Sequence, residues 1–205
     1  MAPGDVQSAF AQAAASDRIA LGSQSFDWLC EQGHVGLERV AKARRDPALV
    51  APVTAAVEQL DAIYARLNGD VSVLHAAREN LLLPVDLVHE ATGTVVEVDD
   101  SAHFTSFRLA ALDLYRADTP VAFDLEEHKE LCRAWCSSTD GLESGLAAKG
   151  FGFGGVQRER AYYDALRDIA TPAMGRPPVV RIAAVDGDGA DAYRRHRDSL
   201  RTLLS

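Results

Sequence analysis

The stretch "PVDLVHEATGTVVEVDDSAHFTSFR", residues 84–108, decides how the rest of the chain is read. It holds two short β-branched runs, bounded by Pro84, by Thr92-Gly93 and by Asp99-Asp100. Such punctuation marks a β-hairpin, and Thr92-Gly93 reads as a tight turn in which Gly93 takes a positive φ. That turn sets Ala91 opposite Thr94, Val88 opposite Glu97 and Asp86 opposite Asp99. Opposed residues, and alternate residues along a strand, share one face. Asp86, Glu97 and Asp99 are therefore expected on one face, with Leu87, Val96 and Val98 on the other. A three-residue loop at 91–93 would instead move Asp86 away from Glu97.

Three carboxylates within reach of one another repel, and they raise each other's pKa unless a cation compensates. Mg²⁺ takes one or two carboxylates, keeps several waters, and can activate a water toward a phosphate. The same residues also fit a solvated hairpin end carrying ordinary acids.

Outward from the hairpin, residues 1 to about 78 read as helix. "SAFAQAAASDRIA" is Ala-rich, and Ser25 is a candidate cap for a helix beginning "FDWL". Asp46-Pro47 opens a third helix, with Val50, Val53, Val57, Leu60, Ile63, Tyr64 and Leu67 at helical spacing, ending near Asn68-Gly69. After residue 81, "LLLPVDLVHE", "TGTVVEVDD" and "PPVVRIAAV" read as strands. Helices are expected at "SFRLAALDLY", "LEEHKELCRAWCSS", "QRERAYYDALRDIA" and 189–204. The expected class is α/β (α+β): a helical extension over 1–78, then a core sheet flanked by helices over 79–205.

The hairpin resembles the core of PD-(D/E)XK nuclease-like proteins, in the branch related to very-short-patch repair endonucleases. There a strand bearing Asp leads to a strand reading Glu-x-Asp, then a nearby His and a helix with Arg. The matching positions are Asp86, Glu97, Asp99, His103 and Arg108, and "RERAYYDALRD…PPVVRI" resembles the following helix and next core strand. The likeness covers roughly residues 80–185. It implies a restriction-endonuclease-like core and metal-dependent hydrolysis of phosphodiester bonds in DNA. The implied metal ligands are Asp86, Glu97 and Asp99 on Mg²⁺, with the same carboxylates and His103 catalytic. The motif's usual lysine, which offsets charge at the attacked phosphate, is Asp99 here. His103 could act as general base or as an orienting residue. Loss of the lysine equally fits a catalytically inactive α/β protein that binds a protein or small-molecule partner.

A second feature is "KGFGFGGVQRER", residues 149–160. Its glycines precede a helix start, where backbone N–H groups favour phosphate. Lys149, Gln157, Arg158 and Arg160 are the candidate phosphate-binding residues, and Phe151 and Phe153 could stack on bases. The alternative is a hinge whose phenylalanines enter the core. Lys149 or Gln157 are also candidates for the function missing at Asp99.

A formal net charge of −9 over 205 residues argues against a protein that coats nucleic acid by positive charge. The three cysteines form no disulfide framework and suit a reducing cytoplasm. His128, Cys132 and Cys136 share a helix face, which fits burial as well as a metal or redox site. Neither a secretory leader nor a membrane span is expected. Phe26, Trp28 and Tyr64 could build a homodimer. "DGDGADAYRR" at 186–195 lacks the closing Glu of a calcium loop and reads as a turn and helix cap.

Overall fold

In the computed structural model, which describes residues 5–204, the sheet forms around the predicted hairpin. Its strands are β1 (Leu21–Gly22), β2 (Leu87–His89), β3 (Val95–Asp99) and β6 (Val180–Ala183), in the order β1-β2-β3-β6. The first three pair antiparallel, whereas β3 and β6 run parallel. A small hairpin, β4 (Ala147–Ala148) with β5 (Gly152–Phe153), stands apart. The helices are α1 (Asp5–Ser16), α2 (Gly33–Arg44), α3 (Pro47–Arg66), α4 (Val71–Ala76), α5 (Ser106–Leu112), α6 (Leu125–Thr139), α7 (Val156–Ala173) and α8 (Gly189–Leu203). The chain is thus of the α+β class.

Local chemistry explains the helix starts. Asp46 accepts from the Ala48 N–H at 2.9 Å with Pro47 in the first turn, and Thr105 caps α5 through the Arg108 N–H at 3.0 Å. The expected helix at Ser25 does not form. Phe26, Trp28, Leu29 and Cys30 are all buried, a run no single helix face accommodates, and Cys30 bridges to Leu82. The helix begins instead at Gly33, whose φ of +55° turns the chain.

Each face of the sheet has its own core. Leu87, Val96, Val98, Val180 and Ile182 pack on Val6, Phe10 and Ala14 of α1 and on Tyr193 and Leu200 of α8. Phe10 meets Tyr193 edge-on at 5.6 Å. Val88 and Val95 join the larger core with α2, α3 and α7. Packing therefore crosses residue 78 in both cores, and β1 is itself an edge strand of the sheet.

The hairpin register differs from the two-residue turn. Leu87 lies opposite Val96 and Val88 opposite Val95, two positions from the expected pairing. The His89 N–H donates to the Thr94 carbonyl at 2.8 Å, so the loop spans 90–93, with Gly93 at φ +71°. A shift of two preserves the faces, because side chains alternate with a period of two. Asp86, Glu97 and Asp99 still share one side.

Candidate functional site: a buried carboxylate and arginine network

On the α7 side of the sheet, the carboxylates and their partners form one charged layer. Asp86, just before β2, accepts from the Val98 N–H at 2.8 Å, and its own N–H donates to Glu97 at 3.2 Å. Gln7 of α1 reaches Asp86 at 3.5 Å, and its carbonyl oxygen is buried without a hydrogen-bond partner. Burial raises the Asp86 carboxyl. Burial also pushes Glu97 up to about 7, the Arg167 charge at 3.7 Å opposing it only in part. Arg167 is the cation nearest this pair, and it donates to the Pro84 carbonyl at 2.8 and 3.1 Å.

Asp99 is in the opposite condition. It is fully buried, and both its oxygens accept from Nη1 of Arg181, at 2.8 and 3.0 Å. Burial would raise this carboxyl, but Arg181 and His103 hold it below its ordinary value. The same guanidinium donates to Asp168 at 2.7 Å and to the Asp164 carbonyl at 3.1 Å. Asp168 also accepts from Arg108 at 2.6 Å and from the Tyr115 hydroxyl at 2.7 Å. Arg108, from the helix after the hairpin, is thus an internal partner.

His103 ends the 3-10 turn Ser101–His103, with 22 % of its side chain exposed. Its Nδ1 lies 3.1 Å from Asp164 and 3.4 Å from Asp99. Burial alone would lower the imidazole, but the two carboxylates outweigh it and hold it at about 9. His103 is therefore an imidazolium at neutral pH, suited to orienting and neutralising carboxylates rather than accepting a proton. Asp164 is correspondingly held well below the usual carboxylate range, against its burial.

The glycine-rich segment supplies the start of α7. Phe151 is buried in the larger core while Phe153 is 78 % exposed. Lys149 lies 3.8 Å from Glu31, and Gln157 donates to the Leu142 carbonyl at 3.0 Å. Arg158 stacks over Phe107 at 5.7 Å. Arg160 pairs with Glu143 at 3.0 Å and reaches the Ala102 carbonyl at 3.4 Å, beside His103. The helical rise sets Gln157 roughly 10 Å from Asp164. The basic group nearest the carboxylate pair is instead Arg167, one turn from Asp164 and 3.5 Å from it.

Among the described residues, no group of three or more His, Cys, Asp or Glu side chains is arranged to hold a metal ion. His128 and Cys132 are buried in the α6 face, and burial lowers His128 to about 4. The donor set of Asp86 and Glu97 suits Mg²⁺, a hard ion that needs only one or two carboxylates.

Asp164, Arg167, Asp168 and Arg181 were not singled out from the sequence. The legible signal was Asp164 and Asp168 at i and i+4, beside Ala161, Ala165 and Ile169 on one face of α7. No family model matches this chain, and no curated protein and no solved structure matches it significantly. No helix among the described residues is long and apolar enough to cross a membrane.

Proposed function

We propose that the chain is a PD-(D/E)XK-like phosphodiesterase acting on DNA, with Mg²⁺ held by Asp86 and Glu97. One observation carries this reading: two adjoining carboxylates whose pKa burial raises, with Arg167 at 3.7 Å from Glu97 opposing that only in part, beside a layer in which the other acids are hydrogen-bonded directly to cations. The order of elements supports it. A strand preceded by Asp86 and a strand reading Glu97-x-Asp99 form a hairpin, and after α5, α6 and α7 the chain returns to pair β6 parallel to the second of them. When bound, the ion would polarise a phosphate and activate a water. The chain's own groups divide the remaining work. Gln7 and the Val98 N–H orient Asp86. His103 and Arg181 fix Asp99 and Asp164, and Arg167 supplies positive charge in place of the motif's lysine. In this role Asp99 is the anchor of Arg181 rather than an ion ligand.

The second reading is a catalytically inactive relative of the same core that binds a partner. It is favoured by Asp99 standing where the lysine belongs, with both oxygens occupied by Arg181. Calorimetric titration of Mg²⁺ and Mn²⁺ into the wild type and a Glu97→Ala variant separates the two. Metal binding lost in the variant, together with metal-dependent cleavage of DNA by the wild type, is the outcome expected of the enzyme. No binding at millimolar metal, with or without DNA, refutes the enzyme reading.

A further inference from the structure

The order β1-β2-β3-β6 leaves one side of β6 unpaired among the described residues. The parallel register, with the Ala184 N–H donating to the Asp99 carbonyl at 2.8 Å, fixes which backbone groups face β3. They belong to Val180, Ile182 and Ala184. The N–H and C=O groups of Arg181 and Ala183 therefore face the opposite way, since alternate residues of a parallel ladder bond to the same neighbour. Along that edge runs a groove of about 370 Å³, walled by the 121–124 segment, α6 and α8. Phe123, Leu131 and Leu203 give it apolar surface.

The groove is negative. Its outward carboxylates are Asp124 and Glu127. Arg181 contributes no positive charge there, because its guanidinium is bonded inward to Asp99 and Asp168. Neighbouring arginines of α8 are already matched, Arg194 with Asp191 and Arg195 with Asp186 and Asp191. An acidic, part-apolar groove along a strand edge does not suit a nucleic-acid backbone. We infer that the free edge of β6 binds an extended segment of a partner protein in which Lys or Arg alternates with apolar residues. The segment would add as a further strand, its backbone bonding to Arg181 and Ala183 and its basic side chains facing Asp124 and Glu127. This inference does not rest on the phosphodiesterase reading.

The test titrates acetyl-Lys-Val-Lys-Val-Lys-Val-Lys-amide and its Glu-for-Lys counterpart into ¹⁵N-labelled full-length protein. Saturable shifts of the Arg181 and Ala183 amides with the basic peptide are expected, the Ile182 amide moving little because it already bonds to β3. Glu127→Lys, at an exposed position, is expected to weaken the basic peptide severalfold and favour the acidic one. Ala183→Pro, which removes one outward N–H at an edge that tolerates proline, is expected to abolish binding. Should that variant lose its fold by circular dichroism, Glu127→Lys alone decides. The inference is overturned by no saturable change at Arg181 and Ala183 up to millimolar peptide, or by equal response to both peptides. It is also overturned if those amides shift with protein concentration alone, which would seat a second copy of this chain on the edge.

Discussion

Replacing Arg181 by Met removes one side chain and strands several others. The guanidinium is fully buried and makes charge-assisted bonds to Asp99 and Asp168, besides the Asp164 carbonyl. Asp168 keeps Arg108 and Tyr115, and Asp164 keeps His103. Asp99 keeps only His103 at 3.4 Å and His128 at 3.9 Å, so it carries most of the damage. Removing one partner of a buried pair costs about 3–5 kcal/mol, against a total stability of about 5–15 kcal/mol. With a urea slope of about 2 kcal/mol/M, the unfolding midpoint should fall by roughly 2 M. The double variant Arg181→Met with Asp99→Leu should recover most of this loss, because an apolar pair in place of a buried ion pair is often neutral. Arg181→Lys should recover little, since an ammonium cannot reach acids on both β3 and α7 with a planar fork. Urea melts of these proteins and of the Asp99→Leu single variant, monitored by Trp28 and Trp135 fluorescence, provide the measurement. A single-variant loss below about 1 kcal/mol, or a double variant as damaged as the sum of its parts, would refute the view that Asp99 depends on Arg181.

The remaining predictions concern protons, positive charge and a close approach. Because burial holds Glu97 at about 7, Mg²⁺ must displace a proton below that pH. Its affinity in calorimetry should therefore rise roughly tenfold per pH unit below 7 and level off above. The His103 imidazole is raised from its ordinary 6.5 to about 9, so its contribution to stability is full below pH 6.5 and lost as pH rises through 9. Chemical melts across that window should show this decline in the wild type, and His103→Asn should flatten it. Arg167→Met should leave metal binding intact and abolish DNA cleavage, whereas Arg167→Lys should restore part of the rate; equal rates for all three would remove Arg167 from the site. Gly33 sits at φ +55° with any Cβ directed at the Tyr162 hydroxyl, which also holds the His34 N–H at 3.0 Å. Gly33→Ala should destabilise the chain by about 1–3 kcal/mol in a thermal melt.

Much of this arrangement was legible because its determinants are local. The Asp46-Pro47 start and the apolar spacing after it define α3 without tertiary information. The shared face of Asp86, Glu97 and Asp99 survived a wrong turn length because only the parity of the loop matters. What was not legible depends on distant partners. β1 is two residues long, and only pairing with β2 across some 65 positions makes it a strand. The partners of Asp99 lie on β6, in the 3-10 turn and on α6, and Arg181 on an apolar strand carries no mark of where its guanidinium turns. Lys149 and Gln157 were favoured for their place beside glycines, but helical rise carries the carboxylate site away from them and toward Arg167.

Asp99 places a fully buried acid at the end of β3, and the positive charge that matches it comes from another strand. Here the adjoining parallel strand supplies Arg181, level with Glu97 in the register. Its fork is turned toward Asp99 and α7, which neutralises the interior and leaves Glu97 with Arg167, at 3.7 Å, as its nearest cation. A layer of this kind is stable only if every inner acid finds a donor, since an unmatched buried charge costs more than a matched pair returns. Asp99, Asp164 and Asp168 each meet that condition, through Arg181, His103 and Arg108. The carboxyls that burial raises, Asp86 and Glu97, thereby lie together, next to Arg167, whose side chain is 13 % exposed. The inner layer satisfies itself, whereas burial raises the Asp86 and Glu97 carboxyls, and this sets the two apart from Asp99 and Asp164, whose cations hold them below their ordinary values.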